Sequence, residues 1–421
     1  MVIARLQKKF SSQFVRNLGW LGIGQLLVRV FRLGTTVVLA RVFTPHDYGL
    51  AAIVYTCYGF IQVFAMGTPT GGIGAKIVET QAEDLETICN TAYWLNWLIC
   101  LPLALAQCAA AFAIAWFYRE DDLILPLCAL SLMCLMYPMY KVHSGLIQRE
   151  NRLKLIAICT TVEAILTNLI TIGLALLGMG FWSVVWALIF STPAPIIITL
   201  LNQSWRPSKP FTLTRWQEIV SFGSSLMGVE LMDKLRLNLD YLIVGRFLGM
   251  ESLGIYFFAF NAGLGISKNI LNSMMIALFP YLCGVRDNLS QMRQRYFSSL
   301  KTMASIVIPV VFLQSCLAPF YVPIIFGSQW NSAIPILVVI CLSAIPQFFA
   351  GTSYQLLNAV GRVRVTLLWN CIYTVLFAVA LLIAVRWGIF EVALAVLICQ
   401  SVNIFFCLWT SRAVFAKSQL S

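Results

Sequence analysis

Apolar residues run through this chain in long blocks, and short polar connections separate them. The blocks predict helices over 14–42, 48–69, 88–117, 123–146, 155–177, 181–202, 217–247, 252–284, 297–320, 331–356, 366–386 and 389–411. A helix needs about 20 largely apolar residues to cross about 30 Å of hydrocarbon. The pattern therefore predicts an all-α membrane protein of about twelve transmembrane helices. Blocks longer than the minimum are expected to tilt, kink or continue into water. The longest connection, 70–87, is far below the roughly 50 residues of a folded soluble domain.

The pattern repeats at an offset of about 205–210 residues. Ala40-Arg41-Val42-Phe43 runs to Gly49 as Gly245-Arg246-Phe247-Leu248 runs to Gly254. Gln148 to Arg152 and Lys154 matches Asn358 to Arg362 and Arg364, and Gly180 with Ala187 matches Gly388 with Ala395. Each half holds an even number of spans, so the halves have the same orientation. The expected organisation is an N-terminal six-helix lobe over 1–202, a cytoplasmic linker over 203–215 and a C-terminal six-helix lobe over 216–421. Parallel repeats of this kind place a substrate site between the lobes and rock about it. The linker, with Pro207 and Pro210, is the expected hinge.

Composition sharpens this reading. Hydrophobic residues make up 60% of the chain and charged residues 11%, against about 25% charged in a soluble domain. The net charge of +12 is not a nucleic-acid signal, because its basic residues cluster in alternate connections. Arg5, Lys8 and Lys9; Arg149, Arg152 and Lys154; Arg206, Lys209 and Arg215; Arg286, Arg293 and Arg295; Arg362 and Arg364; and Arg412 and Lys417 form one set. The other connections carry chiefly Arg41, Arg119, Arg246 and Arg386. By the positive-inside rule both termini face the cytoplasm, and the acidic run Glu79, Glu83, Asp84, Glu86 is tolerated there. The basic start runs into a long span with no small-residue cleavage site, so no signal peptide is expected. Residues Met1 to Arg16 suit an interfacial amphipathic stretch. Most of the thirteen cysteines fall inside apolar spans, where a thiol packs as a small hydrophobe. Neither Cys/His metal spacing nor a nucleotide-binding signature occurs, so no cofactor is expected.

The candidate chemistry is the charge inside the spans. A charged side chain at membrane depth costs roughly 2.5–3.5 kcal/mol on insertion scales, so it normally faces a protein interior or a wet cavity. On the first span Gly22, Gln25, Arg29, Arg32 and Thr36 fall within an arc of about 80°. On the seventh, Glu230, Asp233, Arg236 and Asp240 lie within about 120°, and Lys234 lies between them in sequence. Glu230–Lys234, Asp233–Arg236 and Arg236–Asp240 have spacings that allow pairing along the helix. The eighth span adds Asn261, Lys268 and Asn272. Arginine presents a planar fork of donors to phosphate oxygens. Gln25, Arg29, Arg32, Lys234, Arg236 and Lys268 are therefore the candidate substrate-binding residues. The alternative is a set of internal ion pairs that fix helix register. Glu163, Glu230, Asp233 and Asp240 are candidates for a coupling proton or sodium ion. His46 and His143 read as loop or helix-end residues. Trp94, Trp97, Trp182, Trp186, Trp330, Trp369 and Trp387 include several near predicted span ends, as an aromatic belt requires.

With these features in place, Leu39-Ala40-Arg41-Val42-Phe43-Thr44-Pro45-His46-Asp47-Tyr48-Gly49 resembles the connection between the first two spans of the polysaccharide flippases. Leu146-Ile147-Gln148-Arg149 to Arg152 resembles their fourth-to-fifth connection. These proteins belong to the multidrug, oligosaccharidyl-lipid and polysaccharide exporter superfamily. The resemblance implies a V-shaped, two-lobed, alternating-access transporter in a bacterial plasma membrane. Its implied cargo is a polyprenyl-diphosphate-linked oligosaccharide, moved between leaflets for polysaccharide biosynthesis. The implied partners are that lipid-linked glycan, membrane lipids and a polysaccharide polymerase or assembly machinery. A cation-coupled multidrug antiporter of the same superfamily is the competing reading, against which the intramembrane arginines count. A membrane-embedded glycosyltransferase would need acidic catalytic residues in a sizeable extramembrane loop, and none is long enough.

Overall fold

The computed structural model describes residues 24, 27–65, 72–207, 211–286 and 288–416. The expectations for the basic tail, Gly22, Gln25, Lys209, Pro210 and Lys417 lie outside these residues, as does that for the Lys268 side chain. Every regular element among the described residues is a helix. The first, α1, covers 27–42, and α2 (Pro45–Phe64) follows after a two-residue break. A capping box starts α2: Thr44 Oγ1 accepts from the Asp47 amide at 3.1 Å, and Asp47 accepts from the Thr44 amide at 3.1 Å. Pro45 takes the first helical position, where its missing N–H costs nothing.

Short α3 (Gly72–Glu79) leads to α4 (Leu85–Tyr118), α5 (Ile124–Arg149) and α6 (Leu153–Leu176). Next come α7 (Trp182–Ser191) and α8 (Pro193–Asn202), parted only at Thr192, where Pro193 removes a backbone donor. Helix α9 (Trp216–Cys283) breaks at Gly249, whose φ of 83° separates the seventh and eighth predicted spans. Then follow α10 (Leu289–Tyr321), α11 (Ile334–Leu342), α12 (Ala344–Ala359), α13 (Val363–Ala384) and α14 (Ile389–Phe415). Asn288 caps α10 by accepting from the Gln291 amide at 3.0 Å. Among the described residues nine helical stretches are long and apolar enough to cross a membrane. Helix α4, with 34 residues at about 1.5 Å each, exceeds the hydrocarbon thickness and must extend past it or tilt.

The same succession of elements occurs twice. The α4–α5–α6 series and its α7/α8 pair are matched by α10, α11/α12, α13 and α14. Even the turns correspond. Asn151, between α5 and α6, has φ 55°, and Gly361, between α12 and α13, has φ 78°. Behind them Arg152 N bonds to Ile147 O at 3.1 Å and Arg362 N to Leu357 O at 2.8 Å.

By packing, the chain forms two units. The first contains its described residues up to Phe43 together with Leu50–Asn238. The second contains Thr44–Gly49 and Leu239–Ser421. The division thus falls inside α9, and 216–238 pack with the N-terminal helices. So does the connection before α9. Trp205 and Leu213 pack against a buried cluster that includes Ile73, Ile77, Ile88, Val142 and Ile219. Thr91 donates to Thr214 O at 2.7 Å, and Arg206 Nη1 donates to Gln203 O and Trp205 O. Arg215 reaches Asp84 at 2.6 Å and Glu218 at 3.0 Å, and Lys76 lies 3.6 Å from Glu218. Hydrogen bonds donated to Glu218 and then to Asp84 are the main causes that hold the Arg215 guanidinium above its ordinary pKa. These pairs are at least partly exposed, so solvent screens them and they add little. The apolar anchors carry more.

In the second unit Tyr48 enters a ring of aromatics. It meets Trp330 at 4.9 Å and Phe258 at 6.0 Å between ring centroids, and Phe258 stacks on Trp330 at 4.1 Å. Trp330 is fully buried, so it belongs to this core and not to an interfacial belt. Trp369 likewise stacks on Phe406 at 4.3 Å and donates to Asn403 at 3.1 Å.

Candidate functional site

The first unit gathers charged side chains from α1, α5, α6 and the first part of α9 around α2. On α1, Arg29 is half-buried and Arg32 exposed. Thr35 fixes the helix by bonding across to Asn168 Oδ1 of α6 at 2.7 Å, and Thr36 returns its hydroxyl to Arg32 O at 2.8 Å. Arg32 acts electrostatically on Tyr55 of α2. From the other side Lys234 of α9 approaches α2 at Gly59. A Cβ on Gly59 would stand 3.5 Å from Lys234 Nζ. One turn from Gly59, Thr56 Oγ1 contacts Asn238 Oδ1 at 3.4 Å. Asn238 in turn donates to Lys234 O at 2.7 Å. Arg236 Nη2 lies 3.1 Å from Asp233 Oδ1. Arg29, Arg32, Lys234 and Arg236, together with Glu230 and Asp233, therefore sit in one packed unit, although they come from opposite halves of the chain.

The remaining predicted residues separate from this group. Asp240 belongs to the second unit and is buried there, accepting from Tyr256 Oη at 2.8 Å and the Tyr241 amide at 3.0 Å. That is the environment of a carboxylate placed by the fold. Asn261 turns back to Phe257 O at 2.9 Å, and Asn272 is exposed.

Glu163 has company that the sequence reading missed. Lys141, on α5, stands over the rings of Tyr140 and Tyr137, 5.0 and 5.2 Å from their centroids. Such placement over aromatic faces stabilises a cation by about 0.5–2 kcal/mol. Glu163 acts electrostatically on Lys141, Tyr140, Tyr137 and Tyr58. Tyr58 accepts from Gln62 Nε2 at 2.7 Å. The result is an acid, a base and three phenols clustered inside the unit. The available signal was a lone lysine within an apolar span, on the same helix face as Tyr137 four residues earlier. His143 is buried at the end of α5 with Nε2 3.1 Å from Trp205 O, as befits a helix-end residue. No group of three or more metal-ligating side chains occurs among the described residues.

The chain is similar to known proteins over most of its length. A family model described as polysaccharide biosynthesis protein matches residues 38–335. The teichuronic acid biosynthesis protein TuaB of Bacillus subtilis is 23% identical over 385 residues, 90% of this chain and 78% of TuaB. The succinoglycan biosynthesis transport protein ExoT of Rhizobium meliloti is 25% identical over 87% of this chain and 73% of its own. The lipopolysaccharide biosynthesis protein WzxC of Escherichia coli is 23% identical over 91% and 78%. Among solved structures, the lipid II flippase MurJ superposes with a TM-score of 0.78, covering 95% of this chain and 90% of MurJ at 14% identity. An inward-facing multidrug transporter of the same superfamily reaches 0.75 over 94% and 96%, also at 14% identity. The fold is that of this transporter superfamily. With the family match spanning well over half its length, the chain belongs to the polysaccharide biosynthesis protein family.

Proposed function

We propose that this protein is a flippase. It moves polyprenyl-diphosphate-linked oligosaccharide repeat units across the plasma membrane for polysaccharide biosynthesis. The observation that carries the reading is the set of cations around α2, with Arg32 near Tyr55 and Lys234 against Gly59. A diphosphate headgroup cannot enter hydrocarbon without compensating charge, and arginine compensates it with directional donors. Relatives with matching chains act in teichuronic acid, succinoglycan and lipopolysaccharide biosynthesis, which supports a glycan cargo. In this reading Arg29, Arg32, Lys234 and Arg236 contact the diphosphate, and Gln25 and Lys268 are further candidates for binding it. Glu163 is the leading candidate for a coupling proton or sodium ion, because it faces Lys141 inside one unit. Glu230 and Asp233 are the next, and Asp240 has a structural role. Both termini are cytoplasmic, and the 203–215 connection lies on the same side. A polysaccharide polymerase receives the product.

The likeness to multidrug transporters favours a second reading, cation-coupled export of small molecules. Two assays on the same proteoliposomes separate them. The flippase reading expects protein-dependent exposure of a diphosphate-linked oligosaccharide in the opposite leaflet and no cation-driven efflux of lipophilic dyes. Dye efflux without glycan exposure would overturn it.

A further inference from the structure

The two units differ in how their basic connections are neutralised. In the first, the cations at the end where α5 finishes are engaged internally. Arg149 donates to Ile77 O and Thr80 O, Arg152 to Asn202 O at 2.8 Å, and Arg206 to Leu200 O at 3.1 Å. Arg215 and Lys76 reach Asp84 and Glu218. Six acidic residues, Glu79, Glu83, Asp84, Glu86, Glu150 and Glu218, stand among these connections.

In the second unit the corresponding end is built differently. The α9–α10 connection, the α12–α13 turn and the end of α14 meet there. Arg286 reaches the α12–α13 turn so closely that a Cβ on Gly361 would lie 2.8 Å from its Nη2. This brings Arg286 beside Arg362. Arg295 donates to Tyr281 O at 3.1 Å and lies 4.7 Å from the Tyr281 ring centroid. Phe415, at the end of α14, packs on Tyr296 and Phe297, so the last turn with Arg412 adjoins the first turns of α10 with Arg293 and Arg295. Arg286, Arg293, Arg362, Arg364 and Arg412 are exposed. No acidic side chain stands at this end among the described residues; Asp287, outside them, is the one carboxylate in these connections. Helix dipoles do not restore the balance. The C-terminal ends of α9, α12 and α14 supply roughly half a negative charge each, and the starts of α10 and α13 return roughly half a positive charge each. Six arginines thus outweigh their surroundings by several charges.

We propose that this arginine patch is a docking surface for anionic phospholipid headgroups of the leaflet that borders it. Its position at the ends of membrane helices sets it at headgroup level, and its spread over two connections and the end of α14 suits several headgroups. An arginine or lysine at such a surface contributes about fivefold in affinity for anionic lipid. The inference is independent of which solute the chain moves.

The test uses full-length protein in phosphatidylcholine nanodiscs or detergent, with phosphatidylglycerol as the probe. Native mass spectrometry reads retained lipid, and thermal unfolding reads stabilisation. Wild-type protein is expected to retain phosphatidylglycerol over phosphatidylcholine, less so as salt shortens the screening length. The triple variant Arg286→Gln, Arg362→Gln, Arg364→Gln should lose most of that preference, by about fivefold per residue removed. The corresponding Arg→Lys variant should keep it, because a lipid surface reads charge. A preference absent in wild type, or unchanged in a folded Gln variant, overturns the proposal. So does loss in the Lys variant combined with equal stabilisation by inorganic pyrophosphate, which would mark a discrete diphosphate site. If the Gln variant does not fold, the wild-type lipid preference, its salt dependence and the Lys variant decide.

Discussion

Gly49 and Gly254 cross with no space for a side chain on either. A Cβ on Gly254 would stand 1.7 Å from Pro45 O and 2.9 Å from Gly49 N, and one on Gly49 would stand 2.0 Å from Met250 O. The contact is reciprocal, because Pro45 precedes Gly49 by the same four residues as Met250 precedes Gly254. Equivalent positions of the internal repeat therefore meet each other, and glycine at both is a packing requirement.

Gly254→Ala should accordingly destabilise the protein by about 1–3 kcal/mol or more, since backbone atoms must move to admit the methyl. Gly173 faces open space, so Gly173→Ala should be neutral or stabilise by up to about 1 kcal/mol. Thermal unfolding of both variants in one detergent checks the pair. Equal midpoints would remove the packing argument.

The hydroxyl of Tyr256 donates to buried Asp240, as does the Tyr241 amide. Tyr256→Phe should cost about 1–3 kcal/mol of stability by leaving that carboxylate short of a partner. Unfolding would show the loss, while flipping rates per folded molecule should stay near wild type. A large loss of rate with unchanged stability would return Asp240 to the transport path.

Much of this was legible in the residues because the governing signals are local. Twelve apolar blocks, the glycine break near 249 and the paired turns at 151 and 361 follow from hydropathy and backbone preference alone. The Thr44-Pro45-His46-Asp47-Tyr48-Gly49 segment carries its own explanation in a capping box, an anchoring aromatic and a crossing glycine. Tertiary partners were not legible. Nothing in sequence spacing says that Tyr256 claims Asp240, that Trp330 fills a core, or that 216–238 pack with the N-terminal helices. Lys141 escaped notice because Glu163, the acid that acts on it, lies on another helix.

The Lys141–Glu163 cluster leads to a prediction about energy coupling. If Glu163 exchanges the driving ion, Glu163→Gln should leave the protein folded yet insensitive to an imposed proton or sodium gradient. Flipping measured with and without each gradient should accelerate in wild type and stay flat in the variant. Acceleration preserved in Glu163→Gln would exclude the residue from coupling.

If intramembrane arginines carry the diphosphate, the rate of leaflet exchange depends on them. Proteoliposomes loaded with a polyprenyl-diphosphate-linked oligosaccharide would be probed for glycan exposed to an impermeant reagent. Arg32→Gln and Arg236→Gln should each abolish exchange in folded protein, and Arg→Lys should recover part of it, since charge survives while the bidentate fork is lost. If Arg236 only neutralises Asp233, whose Oδ1 lies 3.1 Å from its Nη2, removing Asp233 as well should restore the rate. The double variant Arg236→Gln, Asp233→Asn is expected to be stable but inactive. Wild-type exchange in that variant would contradict it.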